Sequence, residues 1–210
     1  SEQGDVDETL QALLDGDLDT FEAVVANEGF PELPADLCTS YAHIAIEEKM
    51  VGLLRMCVKY GYDLNIKDQY GDTPMFLAVE MGDYESLHIL LEGGADAYVT
   101  REENVTVAHI AAMQKEVRML SDILSHFPLL AYYCDDNGWT PAHYGAFSGC
   151  EAVLQELSSL SISSLVNITL NTRMSILHIL CIGDPAIISE VGSKDIKKQV
   201  ATWEESLNTD

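Results

Sequence analysis

One local pattern returns five times along this chain. The frames SYAHIAI from Ser40, TPMFLAV from Thr73, TVAHIAA from Thr106, TPAHYGA from Thr140 and SILHILC from Ser175 are in phase. They place His43, Phe76, His109, His143 and His178 at intervals of 33, 33, 34 and 35 residues. A fixed period of this size marks an architecture in which each unit is one supersecondary element that buries its apolar face only against its neighbours. The frame also reaches backwards. Shifted by 33, Ser40 falls on Asp7 and Ala45 on Ala12, and Ala12 is followed by Gly16-Asp17 just as Ala78 is followed by Gly82-Asp83. The stretch DETLQALLDGDLDTFEAVV is therefore a divergent first unit, and six units fill almost the whole chain.

The third unit shows what one copy should fold into. Thr73 stands where a hydroxyl can cap a helix. Pro74 follows at the first helical position, where a missing amide proton costs nothing. Met75, Ala78 and Val79 lie three and four apart and form one apolar face. Gly82-Asp83 turns the chain into a second helix, which continues that face with Leu87, Leu90 and Leu91. Gly93-Gly94 ends it through a left-handed cap. Helices of about 9 residues are unstable alone because nucleation is costly, so stability must come from stacking. Ala45, Ala78 and Ala111 permit close approach of neighbouring helices. Gly145 stands at the same register and marks an expected soft spot, since glycine lowers helix propensity by about 1 kcal/mol.

These motifs resemble the ankyrin repeat. GDTPMFLA from Gly71, the Gly82-Asp83 turn and GGAD from Gly93 match that family's opening, turn and ending, with Phe76 in place of the usual histidine. GWTPAHYG is the next best match, and the resemblance runs over roughly residues 5–190. It implies an all-α, ankyrin-repeat-like solenoid of about six stacked helix pairs with projecting hairpin loops. The expected domain is a single one over 1–210. Its units are 5–37, 38–70, 71–103, 104–137, 138–172 and 173–190, followed by a helical cap or tail over 191–210. Ile196, Val200, Trp203 and Leu207 would form the apolar stripe of that cap.

The repeated histidines read as structural. Successive copies are one repeat apart, which does not suit a tetrahedral metal site, and Phe76 at the same register fits a packing role. Each ring is expected to bond the neighbouring hairpin backbone. The fourth unit departs from the pattern: it has neither a Gly-Asp turn nor a Gly-Ala-Asp ending, and Pro128 should stop its second helix.

Composition narrows function. Thirty-five acidic residues against 11 basic give a formal charge of -24, a surface that repels nucleic-acid backbones and anionic lipid. No apolar run is long enough to span a membrane, and the acidic start SEQGDVDETL is unlike a signal peptide. Five irregularly spaced cysteines fit buried, reduced thiols, which points to an intracellular protein, nuclear or cytoplasmic. No phosphate-binding glycine loop, Cys-x-x-Cys or His-Glu-x-x-His is present, so neither enzyme activity nor a cofactor or metal is expected.

The expected function is protein–protein recognition by a module that is monomeric on its own, with no direct nucleic-acid binding. The family resemblance places the contact on the hairpins and first helices. The hairpin candidates are Asp68, Tyr70, Asp72, Glu102, Glu103, Asp135, Asp136 and Trp139. The helix candidates are Glu80, Met81, Met113, Tyr144 and Phe147, with Glu47, Glu48 and Gln114 beside them. Their shared sign favours a Lys/Arg-rich partner. Trp139 is either an exposed aromatic anchor or the cover of the irregular fourth hairpin. Three alternatives remain open: a scaffold or assembly-chaperone subunit, the substrate-recruiting domain of a larger enzyme, and an acidic mimic that occupies a partner's nucleic-acid-binding surface.

Overall fold

The computed structural model describes residues 10–13, 15–34 and 37–160. The sixth unit, the cap over 191–210, His178, Cys181 and Trp203 lie outside these residues. Among the described residues the secondary structure is helical, with no strand. The chain divides into two compact units, Ser1–Arg101 and Glu102–Asp210.

The first unit contains α1 (Leu18–Glu28), α2 (Tyr41–Glu47), α3 (Val51–Lys59), α4 (Pro74–Glu80) and α5 (Tyr84–Glu92). First helices stack on first helices and second on second: α2 packs on α4, α1 on α3, and α3 on α5. Ala45 and Ala78 are buried at the inner seam, where their small side chains let the backbones approach. Phe21, Tyr41, Phe30 and Tyr62 form an aromatic cluster with centroids 4.6 Å apart at the closest pair, Phe30 and Tyr62. Asp17 and Asp83 cap α1 and α5, accepting from the amides of Thr20 and Ser86 and from their hydroxyls.

The second unit contains α6 (Val107–Met113), α7 (Val117–His126), α8 (Pro141–Ser148) and α9 (Glu151–Leu160), with 3-10 turns at Glu102–Asn104 and Pro128–Tyr132. Here α6 packs on α7 and α8, and α9 packs on α7 and α8. As expected, α7 stops just before Pro128.

The structure corrects several expectations. Thr73 occupies the cap position of α4, but its hydroxyl makes no capping bond. Entry into α4 is held by Pro74 and by the Leu77 amide on the Thr73 carbonyl, at 3.3 Å. Gly145 is also a point of close contact: a Cβ there would lie 2.5 Å from Cγ1 of Val153. The fourth unit keeps the helix–helix turn without its glycine. Lys115 takes the left-handed conformation, φ 67°, at the register where Gly16, Gly82 and Gly149 do so, and Lys49 does the same in the second unit of the repeat series. The cysteines are not uniformly buried either. Cys57 is, but Cys38 and Cys134 are exposed and Cys150 is intermediate.

Candidate functional site

The hairpins are built by two devices that recur at repeat spacing. The first is a carboxylate that folds the tip. Asp68 accepts from the amides of Tyr70 and Asp72 at 2.8 and 3.0 Å. At the same register of a later hairpin, Asp135 accepts from Asn137 and Trp139 at 2.9 and 2.7 Å. The second device is a left-handed residue two positions before the helix cap. Cys38, Gly71, Asn104 and Gly138 share it, with φ of 43°, 82°, 56° and 80°.

A buried histidine then ties a hairpin to the repeat before it. Nε2 of His43 bonds the Asp72 carbonyl at 3.0 Å, and Nε2 of His109 bonds the Trp139 carbonyl at 2.9 Å. A carbonyl only accepts, so Nε2 carries the proton. The other nitrogen of His109 accepts from the Thr106 amide at 3.1 Å, and that of His143 accepts from the Thr140 amide at 3.0 Å. For His109 these partners fix a neutral ring protonated at Nε2. Burial lowers the pKa of His43 and takes that of His109 down to about 4. The rings are structural, as the sequence pattern implied. Among the described residues no group of His, Cys, Asp and Glu side chains is placed to hold a metal.

Arg101 is the residue that sequence reasoning missed. It stands at the register of Asp68 and Asp135, but its charge is reversed. Its guanidinium meets Asp72 with two parallel bonds, Nε to Oδ1 at 2.7 Å and Nη2 to Oδ2 at 2.8 Å. Nη2 also reaches Oε1 of Glu80 at 2.7 Å. The guanidinium carbon lies 4.6 Å from the ring centroid of Phe76. Asp72 and Glu80, expected as free acids of a binding edge, are therefore already paired. Burial still lifts the Asp72 carboxyl above its usual range, while Arg101 pulls it back down. The alignment of register 101 with Asp68 was the available signal; it shows only when the hairpins are laid side by side.

The other candidates divide by exposure. In the first unit Tyr70 is 74% exposed and Met81 is also exposed. Asp68 is half-buried, its carboxylate spent on the hairpin. In the second unit Glu102, Glu103, Asp136 and Phe147 face solvent, while Met113 and Tyr144 are half-buried. Asp135 does not belong among the surface acids: it is buried, and its carboxylate also accepts from the Tyr144 hydroxyl at 3.0 Å. Trp139 is not a free fingertip either. It is half-buried, and its ring packs against those of His143, Tyr144 and Phe147 with centroids about 6 Å apart. The result is one aromatic stack that begins inside the hairpin and ends at Phe147, 62% exposed. The backbone amide of Asp136 bonds the Glu103 carbonyl, and the Tyr144 hydroxyl is pushed up first by burial, then by Asp135, with Glu103 the smallest contributor. Acids and aromatic stack are thus neighbours.

This geometry defines a class: helix-pair repeat proteins whose hairpins and first helices share a common frame. Residues 4–101 match the family model for ankyrin repeats, three copies. An ankyrin repeat protein of Acanthamoeba polyphaga mimivirus is 29% identical over 97 residues, 46% of this chain and 12% of the relative. One from fowlpox virus (strain NVSL) is 28% identical over 81 residues, 39% of this chain and 12% of the relative. The match therefore spans about an eighth of each relative's length. Over residues 4–101 the chain is similar to ankyrin repeats, which generally serve protein–protein interaction. Among the described residues no helix is long and apolar enough to cross a membrane.

Proposed function

We propose that this chain recognises a protein segment rich in lysine and arginine, and that the second unit supplies the principal contact. The observation that carries the reading is the aromatic stack of Trp139, Tyr144 and Phe147 beside the exposed carboxylates of Glu102, Glu103 and Asp136. A cationic side chain laid on an aromatic face gains about 0.5–2 kcal/mol, depending on how far it is desolvated. Carboxylates at the rim steer it in and make association sensitive to salt. Tyr70 and Met81 offer a smaller contact on the first unit. In this reading the chain works as a monomer inside the cell, binds no nucleic acid directly and performs no chemistry on its partner.

The test is capture of partners from lysate at about 0.1 M and 0.5 M salt, with Phe147→Ala and a Glu102→Gln/Glu103→Gln double variant beside the parent chain. Phe147 is preferred to Trp139 for substitution because Trp139 also holds the hairpin. Mass spectrometry should identify a basic partner lost at high salt and weakened in both variants. A partner retained in every condition would sink the reading and favour a scaffold subunit with a mainly apolar contact elsewhere.

A further inference from the structure

The first unit contains a guanidinium site that is already filled. Asp72 offers both carboxylate oxygens to a guanidinium, Glu80 adds a third acceptor, and the Phe76 ring forms the floor. Paired N–H groups against paired oxygens over an aromatic face is the arrangement that distinguishes arginine from lysine. The occupant is Arg101 of the same chain, so the ligand chemistry is observed directly.

Two features set this occupant apart. The clasp lies at the surface: the Arg101, Asp72 and Glu80 side chains are 22%, 17% and 35% exposed. Arg101 also departs from the rule of the other hairpins. Asp68 and Asp135 each fold their hairpin by accepting two backbone amides, which a guanidinium cannot do because it has no acceptor. The turn that follows Arg101 instead carries two successive left-handed residues that are not glycine, Glu103 and Asn104, with φ of 59° and 56°. The chain gives up a well-made hairpin tip and places a cation on Asp72 and Glu80.

We propose that Asp72, Glu80 and Phe76 form an arginine-selective subsite for a partner segment, closed in the free protein by Arg101 acting as an internal competitor. The proposal rests on the reading that the partner is basic and deepens it: arginine, not lysine, is the residue read at this point. Occupancy in cis reduces apparent affinity by the fraction of time the site is open. A site open a tenth of the time or less loses about tenfold or more.

The experiment compares the full chain with Arg101→Gln, Arg101→Lys and an Arg101→Gln/Asp72→Asn/Glu80→Gln triple variant. Fluorescent hexa-arginine and hexa-lysine peptides and free arginine amide are titrated at about 0.1 M salt. Arg101→Gln should bind hexa-arginine about tenfold more tightly or better, with a much smaller gain for hexa-lysine, and the triple variant should lose that gain. The removed positive charge alone would favour both peptides alike, so an equal gain for hexa-lysine overturns the proposal. So does equal hexa-arginine affinity in parent and variant, or a gain that survives in the triple variant. Should Arg101→Gln fail to fold by circular dichroism, Arg101→Lys carries the test, since it keeps the charge and removes the fork; no gain there overturns the proposal. Arginine amide reproducing the whole gain would assign the site to a small guanidinium compound and overturn the assignment to a protein segment. Failure of the Phe147 and Glu102/Glu103 variants to weaken capture would sink the wider reading without altering these peptide arms.

Discussion

The buried ring of His109 makes the stability of this protein depend on acid in a calculable way. In the unfolded chain the ring takes up a proton near the ordinary 6.5; in the folded chain burial holds this off until about 4. Between those values the unfolded state binds the extra proton and the folded state does not. Stability contributed by the neutral ring is therefore complete above about 6.5 and is lost as pH falls towards 4. At pH 5 the solution stands about 1.5 units below the unfolded value, and each unit is worth about 1.4 kcal/mol, so the loss is about 2 kcal/mol. The geometry supplies the reason: a second ring proton would point Nδ1–H at the Thr106 amide, donor against donor. The perturbation is His109→Phe, the residue the third repeat carries at this register. At pH 7.5 it should cost about 1–3 kcal/mol, because the buried Trp139 carbonyl loses its donor. Urea unfolding of both proteins at pH 7.5, 6.5 and 5.0 should show the gap between them narrowing by about 2 kcal/mol at the acid end. Other histidines and carboxylates titrate in both chains and cancel. A gap that stays constant across this range, or a His109 ring resonance that titrates near 6.5 in the folded protein, would refute the argument.

Lys49→Gly and Lys115→Gly should each raise stability by about 0.5–1 kcal/mol, because a side chain is strained at positive φ and glycine is not; the urea midpoint should rise with an unchanged slope. Gly145→Ala should destabilise by about 1–3 kcal/mol despite alanine's better helix propensity, since the new methyl meets Val153, a buried, branched neighbour. Val153→Ala in the same chain should recover part of that loss in thermal melts, and a Gly145→Ala protein as stable as the parent would show the contact to be soft. In a Cys181→Ser background, Cys38 should react with a thiol reagent in the folded protein. Cys57 should react only after unfolding, as burial pushes its thiol up to about 12.

The period and helix faces were legible because they depend on residue types at fixed spacing. Met75, Ala78 and Val79 had to share a face, and they are buried together. The histidine role was legible for a related reason: a series that tolerates Phe76 is one of shape and packing. What stayed hidden depends on side-chain direction and backbone conformation. Trp139 has an ambiguous sequence position, and only coordinates place its ring against three others. Lys49 and Lys115 give no sign of a left-handed turn, because tertiary packing imposes it against their preference. Asp135 looks like Asp136 in a string of letters, yet one is inside the hairpin and the other outside. Gly145 reads as a defect in the helix until Val153 is seen to fill the space beside it.

The ring that fastens each of these hairpins belongs to the preceding repeat: His43 serves the hairpin that ends at Asp72, and His109 the one that ends at Trp139. The stretch that copies itself in the text is therefore not the stretch that holds itself together in space. A graft or cassette exchange cut at the textual period, at 104–137 for instance, would carry His109 away and leave behind the carbonyl it grips. A cut running from Thr106 through Trp139 would keep both ends of the fastening in one piece, and is the natural boundary for transplanting a repeat into another array.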